Sequence, residues 1–85
     1  METQEVLFDI YVNEEDDLST ITNQLEGYSN DDLGIYQCYA NIEDGYVRIE
    51  ASVPEFWDKN DADSAMESLL KEEGFDYDYF DVYLQ

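Results

Sequence analysis

Ile35-Tyr36-Gln37-Cys38-Tyr39-Ala40-Asn41-Ile42-Glu43, then Asp44-Gly45, then Tyr46-Val47-Arg48-Ile49-Glu50-Ala51-Ser52-Val53 decides the fold. Asp-Gly between two alternating runs is a favoured two-residue hairpin turn, because both residues tolerate positive φ. The turn sets a register that can be checked. Glu43 falls opposite Tyr46, Ile42 opposite Val47, Ala40 opposite Ile49, Cys38 opposite Ala51 and Tyr36 opposite Val53. All but the first of these pairs are mostly apolar and share one face. Asn41–Arg48, Tyr39–Glu50 and Gln37–Ser52 share the other, and a slip of one residue would mix the two sets. Cys38 then reads as a small core residue.

Upstream, Glu5–Asn13 alternates Val6, Phe8, Ile10 and Val12 with Leu7, Asp9, Tyr11 and Asn13. This period of two predicts a strand with the first set facing the core. Asn13 can cap a helix whose first turn holds Glu14, Glu15, Asp16 and Asp17, acids that suit the positive end of the macrodipole. Leu18, Ile21, Leu25 and Tyr28 follow at one-face spacing, with a stop near Gly27. Residues 27–34 read as a loop that adds Asp31 and Asp32.

Downstream, Pro54 ends the strand, and Phe56 and Trp57 are expected to pack over the core's edge. Asn60 or Asp61 caps a second helix with Ala62, Ala65, Met66, Leu69 and Leu70 on its apolar face. Lys71, Glu72 and Glu73 lie in its last turns. Gly74 stops it, with Phe75 as the hydrophobic follower. Phe75–Gln85 forms the last strand, placing Phe80, Val82 and Leu84 inward and Tyr79, Asp81 and Tyr83 outward. Asp76 and Asp78 add charge, and the strand's aspartates discourage edge-to-edge aggregation.

The order strand, helix, strand, strand, helix, strand predicts an α+β, ferredoxin-like βαββαβ domain: a four-stranded antiparallel sheet with two helices on one face. Strands one and three are central and the last pairs with the first. The open face is expected to carry Leu7, Asp9, Tyr11, Gln37, Tyr39, Asn41, Tyr46, Arg48, Glu50, Tyr77, Tyr79, Asp81 and Tyr83. Six of the eight tyrosines fall there. Tyrosine brings contact area at little entropic cost, so protein binding or self-association suits this face.

Composition narrows the function. At 85 residues the chain is one domain, 1–85, and 15% aromatic content argues for a folded one. There are 23 acids against 3 bases (Arg48, Lys59 and Lys71), a formal charge of −20. Most carboxylates therefore lack an internal ion-pair partner. Such charge opposes direct binding to nucleic acid or anionic membrane and favours basic surfaces, of which a nucleic-acid-binding groove is the commonest large one. The single cysteine rules out an internal disulfide and suits a reducing cytoplasm. The first residues are acidic where a signal peptide needs bases.

No catalytic pattern emerges. The chain has no histidine, hence no Ser-His or Cys-His pair. It has no glycine-rich phosphate loop. Asp58, Asn60 and Asp63 lack the alternation and central glycine of a calcium loop. No cofactor or metal is expected, and an enzyme is disfavoured.

In size, charge, lack of histidine and compactness the chain resembles the small, very acidic, phage-encoded proteins that mimic DNA and block restriction or CRISPR enzymes. The resemblance implies an inhibitor of a basic nucleic-acid-binding protein or nuclease complex, acting in the bacterial host's cytoplasm. Carboxylates on alternate strand residues recur about every 6.6 Å, close to two axial phosphate steps of about 3.4 Å each. The expected partner-binding set is Glu14, Glu15, Asp16, Asp17, Asp31, Asp32, Tyr39, Glu72, Glu73, Asp76, Asp78, Tyr79, Asp81 and Tyr83. An immunity protein or antitoxin neutralising a basic nuclease toxin would look the same. A halophile's cytoplasmic domain is a third reading, which the content of asparagine, isoleucine and tyrosine disfavours. A homodimer joined through the tyrosine face is a further possibility.

Overall fold

Val6, Phe8 and Ile10 are wholly buried. They define the inner face of β1 (Thr3–Tyr11) in the computed structural model, which describes residues 2–85. The other elements are α1 (Glu15–Leu25), β2 (Tyr36–Ile42), β3 (Tyr46–Pro54), α2 (Lys59–Glu73) and β4 (Tyr79–Leu84). The sheet order is β2-β3-β1-β4, antiparallel throughout, so the chain has an α+β ferredoxin-like arrangement. One core joins the inner face of the sheet to Leu18, Ile21 and Leu25 of α1 and to Ala62, Ala65, Met66, Leu69 and Leu70 of α2. Each large aliphatic side chain buried there contributes roughly 1.5–3 kcal/mol. The molecule measures 36 × 20 × 18 Å. Nine-residue strands, at about 3.4 Å per residue, fit only its long axis.

The hairpin keeps its predicted register from the turn to Tyr39, with Ile42↔Val47, Asn41↔Arg48, Ala40↔Ile49 and Tyr39↔Glu50. Beyond Tyr39 the register shifts, and Tyr36 pairs with Ser52 rather than Val53. Gln37 and Cys38 together oppose Ala51, a β-bulge. Gln37 adopts a left-handed φ of 52° there, and its N–H donates to Ser29 Oγ at 2.9 Å. The extra residue turns Tyr36 from the core side to the open face. Cys38 stays inward, and burial pushes its thiol up to about 12, helped by the nearby Glu26 carboxylate. In the turn only Gly45 has positive φ, at 89°, so Asp44 does not use the left-handed tolerance expected of it. Ile42, at the hairpin's end, is half exposed rather than buried.

The outer edge of β2 is covered. Gly27 N–H donates to Cys38 O at 2.8 Å, Cys38 N–H to Tyr28 O at 2.9 Å, and Ala40 N–H to a Glu26 carboxylate oxygen at 3.0 Å. The outer side of β4 has no such companion among the described residues.

The helix caps differ from expectation. α1 is entered through Glu14, not Asn13, with no side-chain cap. Its first turn relies on Glu15, Asp16 and Asp17 against the macrodipole. α2 starts earlier than predicted, at a capping box. Asp58 accepts from Asp61 N–H at 3.0 Å, and Asp61 accepts from Asp58 N–H at 3.1 Å. That reciprocal pairing takes an i, i+3 pair, which Asp58 and Asp61 supply, so neither Asn60 nor Asp61 is the cap. At the other end Gly74 has φ 71°, and Phe75 N–H returns to Leu70 O at 3.1 Å. Phe75–Asp78 thus serve the helix stop and the link, and β4 begins only at Tyr79.

Trp57 packs against the core while Phe56 is 82% exposed, so only one of the two aromatics covers the edge. Trp57 lies on Gly34, where a Cβ would stand 2.7 Å from the indole Cζ2. Leu84, expected to point inward, is 41% exposed at the strand's end.

Candidate protein-interaction surface

The open sheet face follows from register. Residues paired across antiparallel strands point the same way, so the rows can be read directly. One row is Tyr79–Tyr11–Tyr46. The next is Asp81–Asp9–Arg48–Asn41, and after it Tyr83–Leu7–Glu50–Tyr39. Beyond these lie Glu5, Ser52 and Tyr36, with Ser52 Oγ donating to Glu5 Oε1 at 3.1 Å.

The tyrosine row is in ring contact. Tyr11 stacks on Tyr79 with centroids 4.5 Å apart and planes at 10°, and meets Tyr46 at 4.9 Å and 35°. Burial, then the charges of its neighbours, raises the Tyr11 hydroxyl above its usual range, and the Asp81 carboxylate is the main cause raising Tyr83.

Asp9 is the buried anchor, 2% exposed at the centre of the sheet. Arg48 Nε donates to Asp9 Oδ1 and Nη2 to Oδ2, both at 2.8 Å, and the guanidinium lies 5.8 Å from the Tyr46 ring centroid. The hydrogen bonds that Arg48 donates to Asp9, and then the charge of that carboxylate, raise the Arg48 pKa further above its ordinary value.

Six tyrosines face this way, but not the six expected: Tyr11, Tyr36, Tyr39, Tyr46, Tyr79 and Tyr83. Tyr36 joins through the bulge. Tyr77 leaves, because it precedes β4 and packs against Phe80 and the core, with centroids 6.0 Å apart. Gln37 also leaves its expected row.

The predicted partner-binding residues separate into three groups. β1 ends beside the starts of β3 and β4 and the end of β2. α1 begins and α2 finishes at that same end of the sheet. It therefore collects Glu14, Glu15, Asp16, Asp17, Glu43, Asp44, Glu72, Glu73, Asp76 and Asp78, ten of the 23 acids. Val12, Glu15, Leu18, Asp44 and Gly45 line a shared groove of about 280 Å³ there. The one base at this end, Lys71, is bonded to Glu67 at 3.0 Å, and that carboxylate raises the Lys71 pKa. Asp31 and Asp32 lie at the opposite end, in the loop turned by Asn30 Oδ1, which accepts from the N–H groups of Asp32 and Leu33. Tyr39, Asp81 and Tyr83 lie on the open face, with Tyr79 at its border with the acidic end.

The predicted set is thus an end and a face, with Asp31 and Asp32 apart. Sequence reasoning missed Glu43 and Asp44. Their signal was the hairpin turn, which the topology carries to the start of α1. Among the described residues no three acidic or thiol side chains converge as metal ligands. Among the described residues no helix is long and apolar enough to cross a membrane. Neither protein-family models, curated protein sequences nor solved structures gave a match to this chain.

Proposed function

We propose that the protein is a non-enzymatic inhibitor that occupies the basic nucleic-acid-binding site of a nuclease or other DNA-binding protein, with carboxylates standing where phosphates would lie. The observation that carries this is the gathering of ten acids at one end with a single base, itself held by Glu67. The 36 Å long axis is close to one turn of B-DNA, about 34–36 Å. Long-range attraction between such a surface and a basic groove speeds encounter and weakens steeply with salt. The same charge keeps the protein off nucleic acid and anionic membrane.

The test is capture of partners from a bacterial lysate on the immobilised protein, with duplex DNA as competitor. A nucleic-acid enzyme released by DNA supports the proposal. A partner held equally well with DNA present and at about 0.5 M salt, where screening acts within a few ångströms, defeats it.

A further inference from the structure

Arg48, the chain's one arginine, is held by a carboxylate and a tyrosine ring, Asp9 and Tyr46. Asp81 lies directly across β1–β4 from Asp9 on the same face. Tyr79 and Tyr83 stand two residues before and after it, 50% and 47% exposed, and Tyr79 is fixed by its stack on Tyr11. The Tyr83 hydroxyl is near enough for the Asp81 charge to hold it neutral. Among the described residues no ammonium or guanidinium pairs with Asp81. The row therefore carries two carboxylates and one guanidinium.

We propose that the β4 side of the open face docks an arginine-bearing segment of a protein partner, with one guanidinium on Asp81 between Tyr79 and Tyr83. This rests on the reading of the partner as basic, but uses a surface separate from the acidic end. Charge complementarity favours this occupant. A second copy would bring another −20 and a second Asp81 to the same place, and nucleic acid would bring phosphates. Arginine is preferred over lysine because its planar fork matches a carboxylate with two bonds while its faces stack on tyrosine.

The test is an isotope-edited NMR titration of the full chain with two short peptides of equal charge, one built on arginine and one on lysine. The arginine peptide should shift the signals of residues 79–83 and bind roughly threefold or more tighter than the lysine peptide. Asp81→Asn and Tyr83→Ala should each erase that preference while leaving the rest of the spectrum in place. Equal binding of the two peptides overturns the proposal. So do shifts confined to Glu14–Asp17 and residues 72–78, an outcome that leaves the acidic-end reading standing. Sedimentation showing a dimer that Tyr83→Ala dissociates would give the face to a second copy and also overturn it. Lysate capture that neither duplex DNA nor salt weakens, with the arginine preference intact, would defeat the acidic-end reading alone.

Discussion

Asp9 and Arg48 face each other on the two central strands and share two hydrogen bonds of 2.8 Å, one from each of two guanidinium nitrogens. The carboxylate is buried, and Arg48 is the base it pairs with. Removing the partner leaves an uncompensated buried charge, which is far more costly than losing the pair as a unit. Arg48→Ala should lower Tm by roughly 10 °C or more. Replacing both residues by apolar ones of similar volume should recover most of the loss. Thermal circular dichroism of the single and double variants at one salt concentration checks both.

Asp81 makes the opposite prediction. It sits directly opposite Asp9, and like charges across strands destabilise. Asp81→Asn should raise Tm by a few degrees, about what a fraction of a kcal/mol gives in a domain this size. The substitution that strengthens the fold is the one expected to weaken arginine docking. A lower Tm would show that Asp81 is structurally required.

Cys38 sets a limit in alkali. Burial, helped by the Glu26 carboxylate, pushes its thiol up to about 12 in the fold from an ordinary 9.0. Between those values the unfolded chain has released a proton that the native chain keeps, so stability falls as pH rises through that window. Cys38→Ala should flatten the alkaline limb of a stability–pH curve measured by urea denaturation. The wild-type thiol should react with a thiol reagent only as fast as the domain opens.

Gly34 and Trp57 form a tight contact with its own reporter. A methyl at Gly34 would meet the indole at 2.7 Å, and φ is 80°. Gly34→Ala should cost at least about 1 kcal/mol, since both overpacking and the left-handed backbone penalise it. The emission of Trp57, the only tryptophan, should shift to the red.

Neutralising Glu14, Glu15, Asp16 and Asp17 to amides tests the acidic end without placing bases at the positive pole of α1. Affinity for a captured nucleic-acid enzyme should fall at least about tenfold, and its salt dependence should become shallower. Far-ultraviolet circular dichroism should show the helix retained. Unchanged affinity would place the contact elsewhere.

The strand pattern and the pairing of β4 with β1 were legible because alternation and a two-residue turn leave few registers. The bulge was not. Gln37 takes a backbone conformation usually signalled by glycine, and nothing in a row of alternating residues marks the extra count. That one residue moved Tyr36 to the open face. Tyr77 was misplaced because the alternation runs from Phe75, while the first residues of that run close α2. The acids were obvious one by one. Which of them share an end depends on the antiparallel topology, so Glu43 and Asp44 joined the cluster and Asp31 and Asp32 left it.

The covering of β2 by residues 26–28 has a consequence for assembly. A sheet with two open edges can add neighbours without end. This one offers only the outer side of β4 among its described edges. Two copies that joined through it would meet about a two-fold axis and use up the edge of both. Strand addition through β4 would stop at an eight-stranded pair, so pairing at this edge gives a dimer rather than a fibre.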